Sequence, residues 1–211
     1  MIELHYYPGN ASLFPHMLLR ELGVPFDLRL VDRRVDAQNS AAYLALNPAG
    51  KIPVLVHDGR AITETVAIGL YLADAYPAAG LAPPPGSPER GDYYKWMAQI
   101  ANTLQAEFRA WFYPHEFTTD PDGAEAVKTA VGRRLTAAFE RIADQLGERP
   151  WLLESGVSAA DLYLWLMIRW GRTLPTPARE IGALGALAER VQTRPAARAA
   201  LEIEGLEAPF V

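Results

Sequence analysis

The sequence predicts an α/β N-terminal domain followed by an all-α C-terminal domain. Three observations predict it. Strand-like and helix-like patterns alternate through the first eighty residues. A run from Pro77 to Pro88 then holds five prolines and two glycines, which no helix tolerates and which suits a linker. After Glu89 the strand patterns vanish and long helical periods replace them. The expected domains are residues 1–77 and 89–211, with 78–88 between them.

In order, Met1–Tyr7 reads as a strand that stops at Pro8-Gly9. Ser12–Leu22 reads as a helix, with Leu13, Met17, Leu18 and Leu22 on one face and Gly23 as its stop. Phe26–Val31 alternates as a second strand. Ser40–Leu46 is a short helix ending at Asn47-Pro48. Val54–His57 and Arg60–Ile62 flank Asp58-Gly59, a hairpin signal. Thr65–Tyr76 is a helix stopped by Pro77. A βαβ unit followed by a hairpin and a helix implies a mixed four-stranded sheet. Beyond the linker, helices are expected near 89–112, 123–147, 158–171, 179–194 and 196–203, with a polar break at Pro114–Asp122.

Composition narrows the function. The chain has 211 residues, half of them hydrophobic, and a net charge of −5. Mixed-sign charge argues against a nucleic-acid or acidic-membrane partner. No apolar window spans a bilayer and the N-terminus lacks a signal-peptide pattern, so a cytoplasmic protein is expected. Cysteine is absent, which removes disulfides, thiolate metal sites and a cysteine nucleophile. The four histidines show no ligand spacing, so no metal is expected. No phosphate-cradling glycine motif is present.

The stretch Asn47-Pro48-Ala49-Gly50-Lys51-Ile52-Pro53-Val54-Leu55 carries the first functional signal. A proline stands where an apolar strand begins, and X-Pro is the usual place for a cis peptide bond. With Ile52-Pro53 cis, the polar backbone groups of Ile52 are open to an extended peptide-like ligand. Glu64-Thr65 opens the next helix. A hydroxyl at that N-terminus suits a carboxylate, and Glu64 suits an ammonium group, although both residues are also ordinary cap types. Lys51 and Arg34 are basic residues near the same edge, fit for a second carboxylate or for plain solvation.

The turn Tyr6-Tyr7-Pro8-Gly9-Asn10-Ala11-Ser12 carries the second signal. It leaves the carboxyl end of a strand, where α/β sheets bind ligands. Ser12, at a helix start, either caps the helix or donates to a ligand thiolate. Tyr6 and Asn10 are the alternatives for the thiolate contact. Tyr6 and Tyr7 point to opposite faces, so one of them at most faces the ligand. Ser158 and Asp161 form a capping-box pattern, a folding signal. Aromatics near 108–113 read as core or as the lining of an apolar second-substrate pocket.

Together these pieces resemble the cytosolic glutathione transferase family along essentially the whole chain. The resemblance rests on the Asn47–Leu55 stretch, on Ile62-Thr63-Glu64-Thr65-x-Ala67-Ile68-x-x-Tyr71-Leu72, and on Ser158-x-x-Asp161. The opening Tyr6–His16 is similar to the bacterial beta-type branch. The resemblance implies a thioredoxin-like N-terminal domain, a helical C-terminal domain and a homodimer. It implies glutathione as co-substrate, with Ile52 and Pro53 gripping the cysteine and Glu64 and Thr65 the γ-glutamyl end. Lys51, Arg34 and Gln105 are the further expected glutathione contacts, and Tyr7, Leu13, Phe108 and Phe112 the expected second-substrate pocket. Beta-type enzymes carry cysteine where this chain has Ala11, and histidine where it has Gln105. That moves the expected catalytic role to Ser12, with Tyr6 and Asn10 beside it. The implied activity is conjugation of glutathione to small hydrophobic electrophiles. The alternatives are glutathione-dependent disulfide reduction or peroxidation, and a non-catalytic glutathione-binding or regulatory protein.

Overall fold

The computed structural model describes residues 1–211. Its elements are β1 (Ile2–Tyr6), α1 (Leu13–Leu22), β2 (Asp27–Leu30), α2 (Ala41–Leu44), β3 (Val54–His57), β4 (Arg60–Ile62) and α3 (Thr65–Ala75). They are followed by α4 (Pro88–Gln99), α5 (Ala106–Phe112), α6 (Ala124–Leu146), α7 (Ala159–Trp170), α8 (Leu184–Gln192) and α9 (Pro195–Ile203). No helix is long and apolar enough to cross a membrane.

The sheet runs β2-β1-β3-β4. β1 pairs with β2 in parallel, Glu3 facing Asp27 and Tyr6 facing Leu30. β3 is antiparallel to β1, with His5 facing Val54, and β4 is antiparallel to β3, with Leu55 facing Ile62. The hairpin between β3 and β4 needs two positive φ angles. Asp58 at 50° and Gly59 at 80° supply them, as an Asp-Gly pair does in a type I′ turn. α1 ends because Gly23 turns left-handed at φ 67° and its N–H caps the carbonyl of Arg20. Its face of Leu13, Phe14, Met17, Leu18 and Leu19 is fully buried. On the other side of the sheet, Val31, Tyr43 and Val54 form a smaller core with Leu46 and Ile52 against it.

The chain forms two compact units. One comprises Met1–Ala82 together with Thr193–Phe210, and the other Pro83–Gln192 with Val211. This corrects the expectation that residues 89–211 form one helical domain. α9 packs along α1 inside the first unit. Ala197, Ala200 and Leu201 bury an apolar stripe there, and Arg194 makes a bidentate pair with Glu21 at 2.6 and 2.8 Å.

The second unit is helical throughout. The expected helix over 89–112 is broken into α4 and α5 by a π-helical stretch, Ile100–Gln105. Such an insertion re-aims the residues that follow it and has no periodicity signal of its own. α7 is the central helix, buried from Ala159 to Arg169. Asp161 anchors its start. Its carboxylate accepts from the backbone of Ser158 at 2.8 Å, the Ser158 hydroxyl at 2.9 Å and the backbone of Leu152 at 2.9 Å. Burial nevertheless pushes its carboxyl up to about 6, against the pull of those hydrogen bonds.

Candidate active site

Four segments meet at one edge of the sheet. β1, β2 and β4 end there, and β3 begins there, because β3 is antiparallel to all the others' direction. The segments are Asp32–Arg34 after β2, Tyr7–Ser12 after β1, Lys51–Pro53 before β3, and Glu64-Thr65 after β4.

Ile52-Pro53 is a cis peptide. The first ladder pair of β3 is Val54 with His5, so Ile52 stands outside the sheet pairing. The preceding peptide is held firmly. The carbonyl of Lys51 accepts from the Tyr43 hydroxyl at 2.7 Å and from the Asn47 amide at 2.8 Å. The Lys51 side chain is exposed. Gly50 is required where it is. Its φ is 61°, and a Cβ there would come within 2.9 Å of Asn39 Oδ1.

Glu64 precedes α3 with φ 69°, an uncommon conformation for a non-glycine residue. Its carbonyl accepts from Ile68 at 2.9 Å and its side chain makes no cap bond. The exposed carboxylate therefore projects from the edge while buried Thr65 starts the helix. Backbone outliers of this kind cluster at ligand clamps.

The turn after β1 holds a different arrangement from the one expected. Ser12 is fully buried and does not cap α1 with its side chain. Its hydroxyl donates to the Tyr7 carbonyl at 3.1 Å and accepts from the Tyr7 N–H at 3.2 Å. A hydroxyl has one proton to give, and here the protein backbone takes it. Asn10 bends back so that its Oδ1 accepts from Ala11 N–H at 2.6 Å, which leaves its NH2 group as the donor end. The Tyr6 phenol is pushed above its ordinary value, first by burial and then by the negative charge of Glu204. It stays an O–H donor across the neutral range.

Glu204 and His16 are site residues that the sequence reading missed. Glu204 lies just past α9, buried, and receives the Gly9 N–H at 2.8 Å. His16, also buried, places Nδ1 2.8 Å from the other carboxylate oxygen. Arg20 donates from Nε to His16 Nε2 at 3.0 Å, which assigns the proton to Nδ1 and makes His16 a donor to Glu204. No sequence pattern links two residues 188 positions apart.

Other expected residues fall elsewhere. Arg34 makes a bidentate pair with Asp32 at 2.9 and 2.8 Å. Leu13 is fully buried in the core and lines no open pocket. Tyr7 is half-buried, with the Arg33 guanidinium 5.8 Å from its ring centre. In the helical unit, Phe108 is fully buried, so it backs a surface and does not form one. It stacks on Phe112, which is 44% exposed, with ring centres 5.7 Å apart, and both meet Trp170 edge-on. Gln105 accepts from the buried Tyr163 hydroxyl through Oε1. No cluster of side chains fit for a metal is present.

A family profile described as glutathione S-transferase, N-terminal domain, matches residues 12–75. The chain is 33% identical over 208 residues to the glutathione S-transferase GstA of Escherichia coli O157:H7, covering 98% of this chain and all of that one. A sphingomonad glutathione S-transferase solved in complex with glutathione superposes with a TM-score of 0.84 at 33% identity, over 97% of this chain and 100% of that one. The beta-class glutathione S-transferase of Sphingomonas chungbukensis superposes with a TM-score of 0.84 at 32% identity, over 97% and 100%. The sheet, the helical unit and full-length likeness at this identity agree: the chain belongs to the glutathione S-transferase family, with bacterial beta-class enzymes among its relatives and no cysteine of its own.

Proposed function

We propose that the protein is a glutathione transferase that activates the thiol of glutathione and directs it at a small hydrophobic electrophile. The observation that carries this reading is the single sheet edge that gathers an unpaired Ile52 backbone, a projecting Glu64 and two uncommitted donors. Each part matches one part of the tripeptide. Extended backbone at Ile52 suits the cysteinyl residue, as strand addition requires. Glu64 suits the γ-glutamyl ammonium, and the start of α3 suits its carboxylate.

The thiolate then lies beside the turn after β1. Tyr6 gives an O–H and Asn10 an NH2, while Ser12 holds the turn in shape. A donor to a charged acceptor is worth about 1.5–3 kcal/mol, which corresponds to lowering a thiol pKa by about one to two units. Conjugation follows as the sulfur forms a bond to an electrophilic carbon and the leaving group departs with its electron pair. Holding both reactants supplies much of the rate.

A homodimer is part of the proposal. From Val66 to Ala73 α3 carries no charge, with Asp74 following, yet the helix buries only Thr65, Ile68, Gly69, Leu72 and Ala73. Val66, Ala67 and Leu70 stay partly open beside Tyr71, which is 36% exposed. A second copy covering this face explains the pattern.

The test is a glutathione-affinity measurement followed by turnover of an aryl halide, with sedimentation for the assembly state. Tight glutathione binding with conjugation supports the reading. Binding without turnover of any electrophile would leave a binding protein, and faster reduction of a glutathionyl disulfide would make it a reductase.

A further inference from the structure

The end of α1 and the start of α9 enclose an open cavity of about 450 Å³. Leu19, Val24, Phe26 and Ala199 give it apolar walls, and Arg20 and Glu21 give it charge. All of these residues belong to the first unit. Val24 and Phe26 come just before β2 begins, so the cavity lies at the opposite end of the strands from the candidate active site. Its size falls within the roughly 300–1,000 Å³ of small-molecule sites.

The two charges differ in their partners. Glu21 is matched, because Arg194 donates to both of its oxygens at 2.6 and 2.8 Å. Arg20 has no carboxylate. It spends Nε on His16 Nε2 at 3.0 Å, and its guanidinium carbon stands 5.5 Å from the centre of the Phe26 ring. Asp27, the next acid along the chain, accepts from Arg29 at 3.3 Å. The terminal N–H groups of Arg20 therefore have no protein partner. Imidazole and ring fix a half-buried guanidinium in place, while its positive charge goes unmatched. Water satisfies those N–H groups without neutralising them. The first turn of α9 faces the same space, and Arg194 gives it no side-chain cap, so its positive end adds to the preference for an anion.

We propose that this cavity is a second binding site, for a small carboxylate with an apolar body. The carboxylate pairs with the terminal N–H groups of Arg20, and the body lies against Leu19, Val24, Phe26 and Ala199. The planar guanidinium gives the contact its direction, and the walls give it buried apolar area.

The test is a titration of the intact, isotope-labelled protein with phenylbutyrate and with phenylbutanol, its neutral counterpart, read from amide chemical shifts by NMR. The amides of Gly23, Val24, Ala196 and Ala199 should move. At those amides the carboxylate should bind about tenfold more tightly than the alcohol, the scale of one charge-assisted contact. Arg20→Gln should bind both probes at the level of the alcohol. Ala199→Leu fills the cavity and leaves the charge in place, and it should abolish the shifts at Gly23 and Val24. Unmoved cavity amides in wild type overturn the proposal, as does equal affinity for the two probes. A preference for the carboxylate that survives in Arg20→Gln, or shifts that persist in Ala199→Leu, overturn it as well. If Arg20→Gln does not fold, the alcohol and Ala199→Leu decide the matter between them.

Discussion

Glu204 sits with one carboxylate oxygen 2.8 Å from His16 Nδ1 and the other 2.8 Å from the Gly9 N–H. A residue past the last helix thus fixes the first turn of the chain. Replacing it with alanine strands two buried donors. Glu204→Ala should lower unfolding stability by about 2–4 kcal/mol, as loss of buried hydrogen bonds to a charge does. Glu204→Gln should cost less than that. Urea denaturation followed by circular dichroism measures both, and glutathione affinity should fall in parallel because the turn loosens.

Ser12 and Tyr6 should separate cleanly. The Ser12 hydroxyl is spent on the Tyr7 backbone, so Ser12→Ala should cost about 1–2 kcal/mol of stability and weaken glutathione binding. The pKa of the bound thiol should not move. Tyr6→Phe should do the reverse, raising that pKa by about one to two units with stability nearly unchanged. The pH dependence of kcat/KM reads both. A thiol pKa that shifts in Ser12→Ala and stays in Tyr6→Phe would exchange the two roles.

Asp161 sets a pH dependence in the helical unit. Its folded-state carboxyl titrates at about 6, above the ordinary 3.8. An acid with a raised pKa favours the folded state while protonated, and that contribution disappears as pH rises through the folded value. Comparing wild type with Asp161→Asn cancels the other carboxylates. The stability of wild type relative to the variant should decline between pH 4 and pH 7 by up to about 3 kcal/mol. Denaturation at intermediate pH values traces the window.

Gly50 gives a test of the Ile52 grip. Its φ of 61° and the close Asn39 side chain leave no place for a methyl group. Gly50→Ala should destabilise the protein by about 1–2 kcal/mol and weaken glutathione binding. Gly23→Ala is the control, since its Cβ would meet nothing within 4 Å. It should carry the backbone cost without the loss of affinity.

What the sequence made legible was local. Asp58-Gly59 announces its hairpin because only such residues accept two positive φ angles in a row. Ile52-Pro53 announces its bend, and Ser158 with Asp161 the start of α7. Side-chain assignments at a distance were not legible. Ser12 looks like a helix cap or a catalytic hydroxyl until Tyr7 is seen to claim it. Arg34 reads as an open surface base until Asp32 is seen to hold its guanidinium. The π-helical stretch at Ile100–Gln105 keeps the composition of an ordinary helix. α9 carries the pattern of any amphipathic helix, and nothing in that pattern names α1 as its partner.

The pairing of α1 with α9 also imposes an order on the birth of the molecule. The first unit is written in two pieces, Met1–Ala82 and Thr193–Phe210, with the helical unit between them. Its first eighty-odd residues leave the ribosome long before Ala197, Ala200 and Glu204 exist to cover them. Until those residues emerge, the apolar side of α1 and the ring of His16 must wait without their cover. The helical unit, continuous from Pro83 to Gln192, is free to set first, so the unit begun before it is completed after it.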